Sequence, residues 1–432
     1  MRDERTLYSV PYFSFFVNSI NFSTPQPIPI ATKPQKVATK NAFNAIHPIP
    51  PTLEISGGTK LPGQITTPQI IMKGWPVPPY NSGITTKYNN ETKKPTTKTM
   101  ALLTRSLETF IYISILRPML DWKSLPRPIV ALAPMADMSD LPFCLVCKDE
   151  GTPLMFREMV SSEAVVRLNP KTLKMASFDE RERPIVQQIF GSNPDVMAEA
   201  AKIIYDRFKP DAIDINMGCP VYNLVSNFNG AALIKDPQLA AEIVRKVKAA
   251  VPIPVSVKTR TGWKQDTDCL EFVKVLADAG ADLISMHGRT KEQGYSGKAN
   301  WERVGEARRQ VPHIPFLVNG DITSPELAKE ALEISGADGV LIGRGGLGNP
   351  WFFKQVEHYL KTGEKLPATG QEVILDTMRK HAQLQADHYG ERGLVKLRKH
   401  LPWYVKHDPV LKHMKEKLVR VSTLEDVESA LT

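Results

Sequence analysis

The chain is poor in cysteine. Four residues of 432 carry thiols, Cys144, Cys147, Cys219 and Cys269. So few exclude a disulfide-stapled scaffold and fit a reducing compartment, so a cytoplasmic protein is expected. Unbroken apolar runs of about 18 residues, the length a membrane helix needs, are also missing, so no membrane span is expected. The apolar stretch LYSVPYFSFFV near the N-terminus follows the mixed-charge MRDER, and no A-x-A site comes after it. That pattern is unlike a secretory signal. There is no HExxH and no second CxxC, so no metal site is expected. Acidic residues are scarce at one end only: residues 1–120 hold 13 Lys/Arg and 5 Asp/Glu, while the whole chain carries a net charge of +9. The remaining 312 residues are therefore almost neutral, and any nucleic-acid surface there must come from local patches.

Proline is abundant instead, and 15 of the 35 prolines precede residue 121, as in STPQPIPIATKPQK and GWPVPPYNSG. Such a composition buries too little apolar surface to offset chain entropy. Residues 1–120 are expected to be a mostly disordered extension, with a short helix over 101–120. The extension reads as a basic tether for RNA or membrane, or as a dispensable addition, and the second reading is favoured.

From about residue 127 the texture changes. Eight short β-rich runs, PIVALAP (128–134), LMFREM (154–159), IVQQIF (185–190), AIDINMG (212–218), PVSVKTR (254–260), LISMHG (283–288), PFLVNGD (315–321) and GVLIGRG (339–345), alternate with stretches of helical periodicity such as DVMAEAAKIIYDRF. Eight strand–helix units predict an α/β fold, a (β/α)8 or TIM barrel over 121–355. Each run begins apolar and ends polar: Pro134-Met135-Ala136, Glu158, Gln188, Asn216 and Cys219, Lys258 and Arg260, His287 and Arg289, Asn319 and Asp321, Gly343-Arg344. In a barrel these ends share one rim, where sites are built. After NPWFF the pattern is purely helical, predicting a small C-terminal helical domain over 356–432. Its basic residues, among them Arg398, Lys399 and Lys406, surround Trp403 and Tyr404. That face suits phosphate and base contact, or simple solvation.

Three groupings carry chemistry. NGD (319–321) and GRGGLGNPWFF (343–353) close the last two strands with glycine-rich turns, where backbone N–H groups, a helix N-terminus and Arg344 suit a phosphate. Lys258 and His287 end strands five and six at one level, and a cation there suits a flavin, whose reduction places negative charge at its N1–C2=O edge. Cys219 sits in IDINMGCP, held between Gly218 and Pro220. A free thiol, with a pKa near ~8.5, is mostly protonated at neutral pH and can act as a general acid. Paired with His287 as base it could instead be a nucleophile. Cys144-Leu-Val-Cys147 falls on the first barrel helix and reads as two packed thiols, and Cys269 as inert packing.

APMADMSDLPFC, INMGCPV, GAALIKDP, VKTRTGW, HGRTKEQGYSG, NGDI and GRGGLGNPWFF occur in this order. Together they resemble the tRNA-dihydrouridine synthases of bacterial type, from about residue 127 to 415. The resemblance implies an FMN-dependent barrel with a helical RNA-binding domain, reducing the C5=C6 bond of uridines in tRNA, with NADPH restoring the flavin. It implies that Cys219 protonates C5 while hydride from FMN goes to C6. Pro134, Met135 and Ala136 would lie along the flavin, Gln188, Lys258 and His287 at its ring, and Asn216 beside flavin or uracil. Asn319, Gly320, Asp321, Gly343 and Arg344 would hold ribityl and phosphate, with Arg289, Arg398 and Lys399 toward RNA. A monomer is expected. After Cys219-Pro220-Val221 the family usually carries basic residues and Gly-x-Gly, whereas this chain has YNLVSNFNGAAL, which bears on the loop covering the uridine. Flipping of that uridine is expected, because its carbon is unreachable inside folded RNA. Two rivals are an FMN barrel acting on a free pyrimidine, as a dihydroorotate dehydrogenase does, and an RNA-binding protein with an inactive flavin site. The basic helical tail disfavours the first; Cys219, Lys258 and Arg344 disfavour the second.

Overall fold

The computed structural model describes residues 119–432 except 391 and 407, together with two short strands, Glu54–Ser56 and Gln69–Ile71, that pair antiparallel. The chain forms two compact units, 1–95 and 96–432, and everything below concerns the second. The expectations of disorder over 1–120 and of a helix over 101–120 fall, but for the antiparallel pair and residues 119–120, outside the described residues.

Eight parallel strands close into a barrel: β1 (Ile129–Leu132), β2 (Leu154–Ser161), β3 (Ile185–Phe190), β4 (Ala212–Met217), β5 (Val255–Arg260), β6 (Leu283–His287), β7 (Phe316–Asn319) and β8 (Gly339–Ile342), with β8 paired back onto β1. All eight coincide with the β-rich runs. Helices follow the strands in turn: α1 (Leu141–Asp149) after β1, α2 (Pro194–Phe208) after β3, α3 (Pro237–Ala250) after β4, α4 (Asp268–Asp278), α5 (Trp301–Gln310), α6 (Pro325–Ser335) and α7 (Phe352–Thr362) after β5 to β8. Two shorter helices, Ser162–Val166 and Pro170–Ala176, follow β2. Several starts are written in the sequence. Asn193-Pro194, Asp236-Pro237 and Ser324-Pro325 each supply a side chain that accepts a first-turn N–H, followed by a proline whose missing N–H costs nothing there.

Alternation along the strands separates two surfaces. Val255, Val257, Ile213, Ile215, Ile284 and Val318 face the helices and join one large core. Ile129, Ala131, Leu154, Phe156, Val186, Ala212, Leu283, Leu317 and Leu341 form a second, separate core within the barrel, closed at its base by Trp122 stacked on Phe156 at 6.1 Å. Continuing the same alternation upward brings Gln188, Asp214, Asn216, Ser256, Lys258, Arg260, Ser285, His287 and Asn319 to the inside. The lower interior is therefore apolar and its upper part, from β3 to β7, is polar.

Beyond α7, a long helix α8 (Gln371–Tyr389) and several short ones, the last being Leu424–Leu431, pack around Met378, Leu397, Leu401, Leu418 and Leu431. This group docks on the barrel where Gly348, at φ +64°, meets residues 403 and 404 so closely that a Cβ would lie 2.2 Å from the Trp403 carbonyl carbon. Among the described residues no helix is long and apolar enough to cross a membrane.

One ion pair sits deep between the barrel and its surrounding helices. Arg157 of β2, 1 % exposed, reaches Glu182 at 2.7 Å and donates to the carbonyls of Met175 and Ser177. Removing one partner strands a buried charge. Glu182→Ala is expected to cost about 3–5 kcal/mol, read as a lower urea midpoint at unchanged slope. A loss below about 1 kcal/mol, typical of solvated pairs, would contradict this account.

Candidate active site

The rim is organised around a buried carboxylate. Asp214 on β4 is fully buried, and its two oxygens accept from Gln188 Nε2 and from Ser256 Oγ, each at 2.6 Å. Burial pushes its carboxyl up to about 6, so it is ionised at neutral pH. A carboxylate only accepts, so the Gln188 amide must turn its NH2 toward Asp214. Its Oε1 is left to accept from Asn216 Nδ2 at 3.0 Å. Asn216 Oδ1 then faces the other way and accepts the backbone N–H groups of Gly218, at 3.1 Å, and Cys219, at 2.9 Å. Orientation thus passes from Asp214 through two amides to the Gly218-Cys219 turn.

Two further contacts hold that turn. Arg260 of β5, 2 % exposed, donates from Nε to the Gly218 carbonyl at 2.7 Å, and the Ala231 N–H donates to the Cys219 carbonyl at 3.0 Å. Gly230, at φ +60°, lies so near that a Cβ would stand 2.8 Å from the Cys219 oxygen. Burial raises the Cys219 thiol above its ordinary value, opposed by the Val221 N–H and by the charges of Arg260 and Lys258. The thiol therefore holds its proton at neutral pH. Among the described residues no hydrogen bond joins it to His287.

Lys258 pairs with Asn216 in the β4–β5 register, and its Nζ donates to Asn319 Oδ1 at 3.2 Å. Asn319 is itself fixed, because its Nδ2 donates to the Leu341 carbonyl. Burial first, and Arg260 second, push the Lys258 ammonium down to about 8. Such a lysine loses its proton in the folded chain before it would in the unfolded chain, where the pKa is roughly 10.4. Its contribution to stability therefore rises as pH climbs from about 8, whereas contacts that need the ammonium are lost over the same range.

His287 of β6 pairs with Arg260 and with Asn319. Its Nε2 lies 3.1 Å from Arg289 Nη1, and since an arginine only donates, Nε2 accepts and the proton sits on Nδ1. Burial and four neighbouring cations hold the ring neutral. Arg289 itself is 2 % exposed and grips both oxygens of Asp321, at 2.8 and 2.6 Å, as well as the Gly297 carbonyl. Gly320, at φ +114°, leaves a gap that a Cβ would close against His287 Cδ2 at 2.8 Å.

A cavity of 1140 Å³ opens along the β1, β6, β7 and β8 side of this rim, bounded by Met135, His287, Asn319, Gly343, Arg344 and Trp403 among others. Pro134, Gly320 and Asp321 line it too, whereas Ala136 is exposed beside it. Arg344, half exposed, lies 3.6 Å from Asp321 and over the ring of Tyr295, itself 60 % exposed. Cys219, Gln188, Asn216 and Lys258 stand on β3 to β5, joined to the cavity through the Lys258–Asn319 bond. Of the residues expected toward RNA, Lys399 reaches rim residue Asp137 at 3.4 Å, Arg398 donates to the carbonyls of Val421 and Arg420, and Arg289 is interior. Asp214, Ser256 and Gly230 were not singled out in the sequence; the alternation of IDIN, which puts Asp214 in phase with Asn216, was a signal for the first.

A closed parallel barrel with a thiol, a lysine and a histidine converging on one rim beside a large cavity defines a TIM-barrel enzyme. The family model described as dihydrouridine synthase (Dus) matches residues 131–432. The chain belongs to that family, and is an oxidoreductase. It is 39 % identical over 305 residues, 70 % of this chain and 85 % of the relative, to a probable tRNA-dihydrouridine synthase 1 of Synechocystis. To tRNA-dihydrouridine synthase B of Pseudomonas putida it is 38 % identical over 305 residues, 70 % of this chain and 89 % of the relative. To a probable tRNA-dihydrouridine synthase of Rickettsia prowazekii it is 41 % identical over 278 residues, 64 % and 84 % of the two chains.

The burial pattern makes a chemical forecast. Iodoacetamide applied to the native protein at mildly alkaline pH should alkylate Cys219 and spare Cys144, Cys147 and Cys269, all of them buried. Peptide mass spectrometry showing equal labelling at all four would refute it.

Proposed function

We propose that this protein reduces the C5=C6 bond of uridine in tRNA, using FMN on the barrel rim and NADPH as reductant. The observation that carries the reading is the turn bearing Cys219, clamped at the rim by Asn216, Arg260 and Ala231. The residues present fit a flavin mononucleotide. The cavity is roomy, the turns at Gly320-Asp321 and Gly343-Arg344 end adjacent strands with a half-exposed guanidinium, and Lys258 offers a cation at mid-rim. Asn319, Gly320, Asp321, Gly343 and Arg344 would hold ribityl and phosphate, Pro134, Met135 and Ala136 one face of the ring, and Gln188, Lys258 and His287 its polar edge. Bound there, FMN supplies the two electrons of the reduction.

The chain's own groups do the rest. Cys219 delivers its proton to C5, so its Sγ–H bond breaks as a C–H bond forms. The thiolate left behind is met by Arg260 and Lys258, the cations that oppose the raised thiol pKa, and it regains a proton from solvent. Asn216 keeps Sγ in place by holding the backbone on either side of Gly218. Lys399 and Lys406 give the C-terminal helices basic groups toward the rim; Lys406 lies over Trp403 at 4.6 Å, and Lys396 lies over Tyr389 at 3.9 Å, an arrangement suited to phosphate and base contact. Tyr222, 78 % exposed three residues after Cys219, would meet an extruded nucleotide. The same reading makes the protein a cytoplasmic monomer.

Two tests follow. Unmodified tRNA incubated with protein, FMN and NADPH, then digested, should yield a uridine heavier by two hydrogens, and Cys219→Ala should lose about 10²–10⁴-fold in rate while keeping its flavin. An undiminished rate in the variant would remove Cys219 as the acid; product from free uridine but not from tRNA would overturn the substrate. Separately, flavin retention should weaken as pH rises through about 8, where Lys258 loses its charge, and Lys258→Met should be weaker at low pH and flat across that range. A wild-type profile without that step would exclude Lys258 as a charged flavin contact.

A further inference from the structure

Away from the rim chemistry, three metal-ligating side chains meet in the interior, between the barrel and the C-terminal helices. Asp140 follows β1 and caps α1; His381 lies on α8; His400 precedes the short helix Leu401–Tyr404. They are 3 %, 0 % and 0 % exposed, and one ligand atom from each lies within 4.8 Å of the other two. The cluster is incomplete as a hydrogen-bonding group. His381 Nε2 and both ring nitrogens of His400 are buried with no partner, and so is Gln385 Oε1. A buried polar atom left unpaired costs about 1–3 kcal/mol, so several in one spot point to something that binds a nitrogen of each ring.

The surroundings select what that is. His381 Nδ1 is taken by Tyr404 Oη at 3.1 Å, which orients the ring and leaves Nε2 as its free donor atom. Asp140 Oδ1 accepts from Phe143 N and Oδ2 from Gln385 Nε2, and the Tyr389 hydroxyl also bonds the carboxylate, which still leaves it a lone pair to offer. The two imidazole rings stand 4.8 Å apart at 67°, each against Phe143, so neither can swing out to water. Two imidazoles and one carboxylate, fully enclosed, form a mixed nitrogen–oxygen set of one negative charge, the set a divalent borderline cation takes.

We propose that Asp140, His381 and His400 bind a zinc ion that ties the C-terminal helices to the barrel, with Gln385 Oε1 completing the tetrahedron. Tetrahedral ligands at about 2.0–2.1 Å from zinc are about 3.3 Å apart, so the three side chains close inward on binding. The ion is structural, since no position in this enclosed place is open to substrate. Its partners reach both sides of the docking surface: Asp140, which caps α1, lies four residues after Ala136, and Lys399, next to His400, pairs with Asp137. The ion thereby fixes the helical group against the rim.

The test uses the untagged full-length protein. Elemental analysis should find about one zinc per chain, and a strong chelator should lower the melting temperature of the wild type, restored by added zinc. His400→Gln should lose the metal and the chelator effect together. Should that variant fold poorly, Asp140→Asn, which keeps the α1 cap, should show the same loss. Wild-type protein without stoichiometric zinc, and with a melting point indifferent to chelator and to added zinc, overturns the proposal in favour of an internal water. So does zinc that stays bound in both variants.

Discussion

The Asp214 carboxylate is the group on which the rest of the rim depends. It lies in the barrel interior, where its hydrogen-bonding partners among the described residues are Gln188 and Ser256. A neutral side chain there could hydrogen-bond in either sense, and each amide above it could then face either way. An acceptor-only group removes that freedom, and the removal carries through Gln188 and Asn216 to the peptide bonds around Gly218. A thiol has little directional bonding of its own, so its place is set by the backbone that carries it. The position of Cys219 therefore rests on a charge two amides away.

The barrel interior divides the work. On β8 and β1 the inner face below the rim is small and apolar, with Ala133, Leu341 and Gly343, and this leaves room for the cavity. From β3 to β7 the upper inner face is polar, knit by the bonds among Gln188, Asp214, Asn216, Ser256, Lys258 and Asn319, and it holds the groups that move or steer protons. Arg260, Arg289 and Lys258 gather on the latter side, with Arg344 nearby after β8; burial first and their summed field second hold His287 neutral, and the field offers a place for negative charge. Asp214 and Asp321 lie among them as counter-charges, and Asp321 is already engaged by Arg289.

Much of this was legible in the residues. Strand period two and helix period 3.6 give the barrel almost to the residue, because strands buried on both faces read as continuous apolar runs and the Asn-Pro, Asp-Pro and Ser-Pro pairs mark helix starts. The polar ends of the runs gave the rim, and Cys219, Lys258, His287 and Asn319 do converge there. What the sequence hid were contacts between distant segments. Nothing in DIN says that Asp214 meets Gln188 26 positions earlier, and Gly230 reads as one glycine among 26 until its backbone is seen against Cys219. Arg289 reads as a rim cation open to RNA, yet its guanidinium is turned inward onto Asp321. Asp140, His381 and His400 are separated by 241 and 19 positions, so no spacing rule could join them.

The cavity is bounded on one side by Met135, Gly343 and Arg344 of the barrel and on the other by Trp403, Tyr404 and Lys406 of the C-terminal helices. It is thus a shared room rather than a pocket of either part. Whatever occupies it touches both, and its binding energy becomes part of the free energy that keeps the two together. By reciprocity, anything that tightens the seating of the helices raises the affinity of the occupant by the same factor. A macromolecule gripping the helical face would therefore be felt by a small molecule on the rim, with no moving part between them.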